Sequence, residues 1–318
     1  MNFSKVKLII ILCLAIVNII FAFLCIRLIS ETNYISEEEA GLASSNLLKN
    51  GISAEFDKEA RRLYNLPVYQ SLVDSTEETV PATYKQITES FFGVKAENAA
   101  FVKTPAGYSI SVKDSDGELL GSASLFDKIG FECFLSSASE YKESSELYKA
   151  PYSSELENIK DSDYDAAESF VDRAFKDYSM KFIYAGTRSV EGGKIVSFNG
   201  VLSDTPVADV YINVFVKNKK IVCCAGNVFD KVPEKKYSTA AIDSIDAVYL
   251  LTENLRQKDV DVSGTEIERI SMVYDSVEYS YGEYYIVPAW IIECKNKDGL
   301  LRTYSVEAVT GEGIREIE

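Results

Sequence analysis

The sequence predicts an α+β chain in which an N-terminal transmembrane helix is followed by repeated helix-plus-antiparallel-sheet units. Two observations carry that prediction. Residues 8–26 contain no charged side chain, and at about 1.5 Å per residue such a run reaches across a hydrocarbon core of roughly 30 Å. Further along, three stretches share one layout, a helical pattern followed by several strand-like segments that turn residues separate.

The apolar run ends Phe21-Ala22-Phe23-Leu24-Cys25-Ile26, without the small residues of a cleavage site, so it reads as a retained anchor and not a removed leader. Bulky Leu24 likewise argues against lipid attachment at Cys25. Lys5 and Lys7 precede the run, whereas Arg27 is followed by Glu31, Glu37, Glu38 and Glu39. That bias places residues 1–7 in the cytoplasm, residues 8–26 across the plasma membrane in a single pass, and the C-terminal domain outside the cell. Asn18 is the polar residue of the span. Its amide is a candidate contact to a partner's transmembrane helix, worth about 0.5–2 kcal/mol, with an incidental asparagine as the competing reading.

All 49 acidic residues follow Arg27, and only Lys5, Lys7 and Arg27 of the 33 basic ones lie at or before it, so the exported part carries a net charge of −19. Such a surface repels nucleic acid and anionic polymers. Ser36 and Glu39 form a capping-box pattern that opens a helix over 37–50, with Leu42, Leu47 and Leu48 as its apolar face. Residues 56–78 have mixed character, interrupted by Pro67. The first extracytoplasmic α+β domain covers 31–135: a helix from Pro81 to Phe92, then strands over 99–103, 108–113 and 118–126. A polar linker follows over 136–161.

The second unit, 162–232, has a helix over 163–178 with Phe170, Ala174 and Phe175 facing inward, then strands over 181–187, 194–201, 209–217 and 220–228. Gly192-Gly193 and Asn218-Lys219 read as its tight turns. The third unit, 237–318, packs with the second. It has a helix over 239–257 and strands over 266–278, 284–295 and 301–309.

The chain has no histidine, which removes the usual general base, the usual zinc ligand and every Ser-His or Cys-His arrangement. No catalytic residue, metal ligand or cofactor site is expected. Ser139-x-x-Lys142 has the spacing of a Ser-Lys hydrolase but lies in a polar stretch that would not lower a lysine pKa. Asp114-Ser115-Asp116-Gly117 and Asp161-Ser162-Asp163 open like calcium loops, yet their twelfth positions hold Leu125 and Asp172 in place of Glu. A hairpin turn and a helix N-cap explain them. Carboxylates are too numerous for any pair to mark glycoside hydrolysis.

Cys133, Cys223, Cys224 and Cys294 each sit among strand-like apolar neighbours and read as buried thiols, with one Cys133–Cys294 bridge as the alternative. Adjacent Cys223 and Cys224 point to opposite faces of a strand. Tyr274, Tyr279, Tyr281, Tyr284 and Tyr285 crowd the third unit, as core or as a recognition face.

The N-terminal residues Lys5, Lys7 and Leu14-Ala15-Ile16-Val17-Asn18-Ile19-Ile20-Phe21, with Leu47-Leu48-Lys49-Asn50-Gly51-Ile52, resemble the start of YycI/YycH-type membrane-anchored regulatory proteins. Tyr285-Ile286-Val287-Pro288-Ala289-Trp290, then Tyr304-Ser305-Val306-Glu307-Ala308 and Thr310-Gly311-Glu312, are similar to the closing hairpin of YycI and of PepSY-like repeats. Pro288, Trp290 and Gly311 read as structural: a strand edge, a ring packed on the helix and a turn.

The resemblance implies a non-enzymatic accessory of the WalK/WalR two-component system, linked to cell-wall homeostasis. Its partners would be a membrane sensor histidine kinase and a second accessory protein, as a hetero-oligomer without nucleic acid. The alternatives are a PepSY-like inhibitor or chaperone of an exported protease and, further off, an envelope hydrolase.

Overall fold

The computed structural model describes residue 18 and residues 33–72, 82–94, 101–105, 107–126, 130–138, 145–151, 156–178, 180–229, 233–280 and 283–317. The sequence-based span over 8–26 lies outside them apart from Asn18, as do Ser139 and Lys142. Among the described residues no helix is long and apolar enough to cross a membrane.

Ser36 opens α1 (Glu37–Lys49) through the expected capping box: its Oγ accepts from the Glu39 N–H, and the Glu39 carboxylate accepts from the Ser36 N–H, both at 3.2 Å. The buried face of this helix is Ala40, Ala43 and Leu47, while Leu42 and Leu48 face outward. The remaining helices are α2 (Ala82–Phe92), α3 (Ser162–Ala174) and α4 (Ser244–Gln257). Asp161 caps α3, and Asp243 caps α4 by accepting from the Asp246 N–H at 2.9 Å. This cap starts α4 five residues later than the expected Thr239. Thr239 and Ala240 instead pair with Leu66 and Asn65 at the end of a strand, a case of tertiary pairing overriding local helical preference.

The strands are β1 (Ile52–Ala54), β2 (Asn65–Leu72), β3 (Val102–Thr104), β4 (Gly107–Lys113), β5 (Leu119–Phe126), β6 (Gly130–Leu135), β7 (Lys181–Val190), β8 (Gly193–Leu202), β9 (Thr205–Lys217), β10 (Lys220–Asn227), β11 (Glu234–Ala240), β12 (Thr265–Ser280), β13 (Glu283–Lys295), β14 (Leu301–Glu307) and β15 (Ile314–Ile317). Ser203-Asp204 and Asn218-Lys219 close their hairpins with both residues at positive φ, the geometry that matches the twist of the flanking strands. The turn expected at Gly192-Gly193 falls one residue earlier, at Glu191-Gly192.

These strands overturn the expected fold class. Among the described residues they join into one fifteen-stranded mixed sheet with the path β11-β2-β13-β12-β9-β10-β6-β5-β4-β3, rather than an N-terminal transmembrane helix followed by helix-plus-antiparallel-sheet repeats. Three long strands make the continuity by dividing an edge between two partners. β13 offers one edge to β2 at Glu283–Ile286 and to β14 at Ala289–Lys295. β9 pairs with β10 from Tyr211 onward and touches β12 through one parallel bridge, Val207 to Tyr274. β12 pairs with β13 along its length and, on its other edge, with β1 in parallel at Thr265–Ile267.

Helices α2 and α3 cover one half of the sheet through Tyr84, Ile87, Phe170, Val171 and Phe175. α1 and α4 cover the other through Leu47, Ala247, Val248 and Leu251 around Trp290. A 3-10 turn, Ser145–Tyr148, is pinned to the opposite face of the first half. Buried Asn213 donates to the Leu147 and Lys149 carbonyls at 2.9 Å each, and buried Arg188 pairs with Glu146 at 3.1 Å.

The junction between the halves has an apolar side and a charged side. Tyr69, Met180, Leu202, Val207, Phe229, Tyr274 and Ile286 pack together on one, with the Tyr69 and Tyr274 rings edge to face at 5.4 Å. On the other, Arg315 of β15 forks between Asp209 of β9, at 2.9 and 3.0 Å, and nearly buried Asp275 of β12, whose Oδ2 lies 3.0 Å from Nε. Ser305 also donates to Asp275, and Ser276 to Asp209.

Burial raises the Asp275 carboxyl above the ordinary carboxylate range, Arg315 pulls it back, and the Asp209 charge raises it again. A carboxyl raised in the folded state binds its proton more tightly there than in the unfolded chain. Stability therefore falls as pH climbs from the unfolded value through the folded one. Arg315→Met removes the opposing pull and should cost about 1–3 kcal/mol near neutral pH. This is less than the ~3–5 of a fully buried pair because the guanidinium side chain is 46% exposed. Urea melts of the variant against the parent should show that deficit shrinking as the pH is lowered into the carboxylate range; a deficit that grows in acid would contradict this account.

Candidate binding cleft

The edge of β12 that faces away from β13 is occupied at both ends and open between them. β1 ends its pairing at Ile267 and β9 meets the strand at Tyr274, so among the described residues no strand pairs with Glu268 to Val273 on that side. A cleft of about 720 Å³ lies along this gap, lined by the continuous run Glu266–Met272 and by residues of the segment that leaves β1. Its apolar backing is Ile267, Ile270 and Met272, all part of the core under α1 and α4.

The facing wall is built by local turn chemistry. The Asp57 carboxylate accepts from the Ala60 N–H at 2.7 Å, and the Arg61 N–H bonds back to the Asp57 carbonyl at 3.0 Å. The wall is then tied to the start of α1: the Ile35 N–H donates to the Arg61 carbonyl at 2.8 Å, the Leu63 N–H donates to the Asn33 carbonyl at 2.8 Å, and Arg61 pairs with Glu37 at 3.2 Å.

The cleft is acidic. Glu55, Asp57, Glu59, Glu266 and Glu268 line it, against a single lining cation, Arg269. That cation is engaged by fully buried Glu293 at 3.8 Å, and Glu268 meets Lys295 at 3.9 Å. Among the described residues no group of His, Cys, Asp and Glu is placed to hold a metal ion. The calcium-like sequences resolve as turns: Asp114 Oδ1 accepts from the Asp116 and Glu118 N–H groups at 2.9 Å each, and Asp161 caps α3 and pairs with Lys194.

The residues singled out in the sequence lie elsewhere. Asn18 is helical and exposed. Pro288, Trp290 and Gly311 converge on the loop entering α4. Pro288 occupies the point where β13 changes partner from β2 to β14, so its missing N–H interrupts no ladder on that edge, and its carbonyl accepts from the Ala308 N–H at 2.8 Å. Fully buried Trp290 donates from Nε1 to the Ile242 carbonyl at 2.9 Å, while the Ile242 N–H donates to the Ala308 carbonyl at 2.8 Å. Gly311 turns at φ +75°, where an added Cβ would lie 2.5 Å from Leu250 Cδ1.

Of the crowded tyrosines, Tyr274 is core and Tyr284 packs partly buried against Phe229. Tyr281 and the Tyr279 side chain lie outside the described residues. The cleft itself has no sequence signature, because its walls come from positions 53–64 and 266–272 and its defining property is a missing partner.

All four described cysteines are free and buried. Cys133 stands opposite Cys224 across the β6–β10 pair, whereas Cys223 faces the other side of the sheet beside Phe134. Cys294 lies in the core of the other half, so no Cys133–Cys294 bridge forms.

No family model and no curated protein matches the sequence. Among solved structures, the chain is similar to an uncharacterized protein from Eubacterium rectale with 12% identity and a TM-score of 0.48, covering 84% of this chain and 86% of that one. It is also similar to the YpeB C-terminal domain of Bacillus megaterium, with 11% identity and a TM-score of 0.38 over 76% of this chain and 99% of that one. Neither likeness shows a family, and YycI and YycH are not shown by them.

Two measurements probe these interiors. Trp290→Phe leaves the half-buried Ile242 carbonyl without its donor and should cost about 1–3 kcal/mol in a circular-dichroism melt. A smaller loss would place the stabilisation in ring packing alone. Burial pushes the Cys223 and Cys294 thiols up to about 12 and the Cys224 thiol well above its ordinary value. Alkylation mapped by mass spectrometry at mildly alkaline pH should therefore leave Cys223, Cys224 and Cys294 unlabelled in the native protein, with Cys133 shielded by its burial, and label all four in denaturant.

Proposed function

We propose that this protein is a non-enzymatic extracytoplasmic regulator of a membrane sensor histidine kinase, of the YycI/YycH type, in a two-component system linked to cell-wall homeostasis. The apolar residues 8–26 support a location at the plasma membrane with the N-terminus cytoplasmic and the C-terminal domain outside. The observation that carries the reading is the acidic cleft along a stretch of β12 that no strand pairs among the described residues, a surface suited to protein recognition. The absence of histidine from the sequence and the likeness of both chain ends to that family support it. A regulator needs only different affinities for two kinase states, which contacts alone can provide. Its partners are the kinase and a second accessory protein.

The second reading is a PepSY-like inhibitor or chaperone of an exported protease. An open strand edge favours it, because extended chains are what proteases and their guardians handle.

The two readings separate by what each needs from the N-terminus. Affinity purification of the full chain from membranes should recover a sensor histidine kinase, and a chain beginning near Ser30 should lose both that recovery and regulation of the kinase's output. If the shortened chain instead retains full activity and recovers an exported protease, the inhibitor reading replaces the first.

A further inference from the structure

We propose that the gap in the β12 ladder is a docking slot for an extended, lysine- and arginine-bearing segment of a partner protein, which enters as an added strand. This rests on the reading of the chain as a binder of protein partners and names the chemistry of the segment bound. The open stretch from Glu268 to Val273 is bounded by β1 at Ile267 and by β9 at Tyr274. At about 3.3 Å per residue it accommodates roughly 20 Å of extended chain, the length of an ordinary strand. Strands hold β12 in sheet geometry at both ends and, past a bulge at Glu268, along its far edge, so the N–H and C=O groups that no strand pairs among the described residues are already set at ladder spacing. A guest backbone meets a preorganised template and loses only its own freedom.

The side chains choose the guest. Alternate residues of an added strand point to opposite faces. Those directed inward meet the apolar backing of Ile270 and Met272, and those directed to the rim meet Glu55, Asp57, Glu59, Glu266 and Glu268. The lining cation, Arg269, is held toward Glu293. A second copy of this chain, at a net charge of −16, would bring like charge to the slot and is disfavoured by the same field that draws a basic segment. The guest therefore alternates apolar with basic residues.

The test uses the full chain in detergent micelles and a short fluorescein-labelled peptide alternating Lys or Arg with Val. Two control peptides accompany it, one with Glu at every basic position and one with Pro in place of a central Val. The basic peptide should bind, lose affinity with rising salt, and slow amide hydrogen exchange in 268–273. Both controls should bind about tenfold more weakly or worse. The triple variant Glu55→Lys, Glu59→Lys, Glu266→Lys should lose the peptide while keeping the parent's circular-dichroism spectrum and melt. A double variant, Glu55→Gln with Glu59→Gln, gives the intermediate loss should the triple one fold poorly.

Several results overturn the proposal: no binding of the basic peptide, equal binding of the proline-interrupted one, or protection elsewhere in the sheet. Peptide binding without recovery of a kinase from membranes would remove the regulator reading and leave the slot. Recovery of a kinase without peptide binding would remove the slot and leave the regulator.

Discussion

The continuity of this sheet depends on one short parallel contact between Val207 of β9 and Tyr274 of β12, and on the charges that close over it. Each half has its own helices and its own core, so the contact is where two separately satisfied structures become one. Two carboxylates, Asp209 and Asp275, stand at that point, and a pair of like charges so placed would drive the strands apart. Arg315 resolves the conflict by touching both. It arrives on β15, the last strand of the chain, through the antiparallel register that sets Arg315 opposite Ser305. A residue at the end of the sequence thereby fixes how residues a hundred positions earlier meet their neighbours.

Sharing an edge between two partners is the device that builds the rest, and each shared edge has a point where one partner stops and the other starts. On β13 that point is Pro288, a residue without an N–H placed where none is needed on the shared edge. The turn after Ala308 and the ring of Trp290 then anchor α4 over the same strand through the two backbone groups of Ile242. On β12 the corresponding interval is six residues long and carries no proline. The two gaps differ in kind: one is closed by chemistry and the other borders the cleft.

Much of the local structure was legible because it rests on short-range rules. The Ser36–Glu39 box, the Asp161 cap, the Asn218-Lys219 turn and the inward face of Phe170, Ala174 and Phe175 are each specified within a few residues. What escaped was set by distance. The segment 234–240 has no strand pattern of its own and becomes β11 because β2 lies beside it. Of the leucines spaced for the apolar face of α1, Leu47 is buried, but Ala40 and Ala43 complete that face and Leu42 and Leu48 lie outside. The repeated order of helix and strands suggested separate units, and no residue pattern announces that β9 and β12 will touch. The cleft was illegible for the same reason, since a missing partner leaves no trace in composition.

An open strand edge is a hazard as well as an opportunity, and carboxylates beside it admit two physical explanations. Charge on an edge repels further copies of the same chain and so protects against edge-to-edge aggregation. If protection were the whole of it, all the charges would most simply lie on β12 itself, where Glu266 and Glu268 do. Here Glu55, Asp57 and Glu59 come from a separate segment that hydrogen bonds and an ion pair tie to α1, and this wall stands across a cleft from the edge instead of covering it. A wall that faces an edge at a distance does not occlude it; it sets the charge of whatever fits between. The same field excludes an acidic copy of this protein and admits a basic strand, so protection and selection are served by one arrangement. The spacing between wall and edge is the feature that protection alone leaves without a reason.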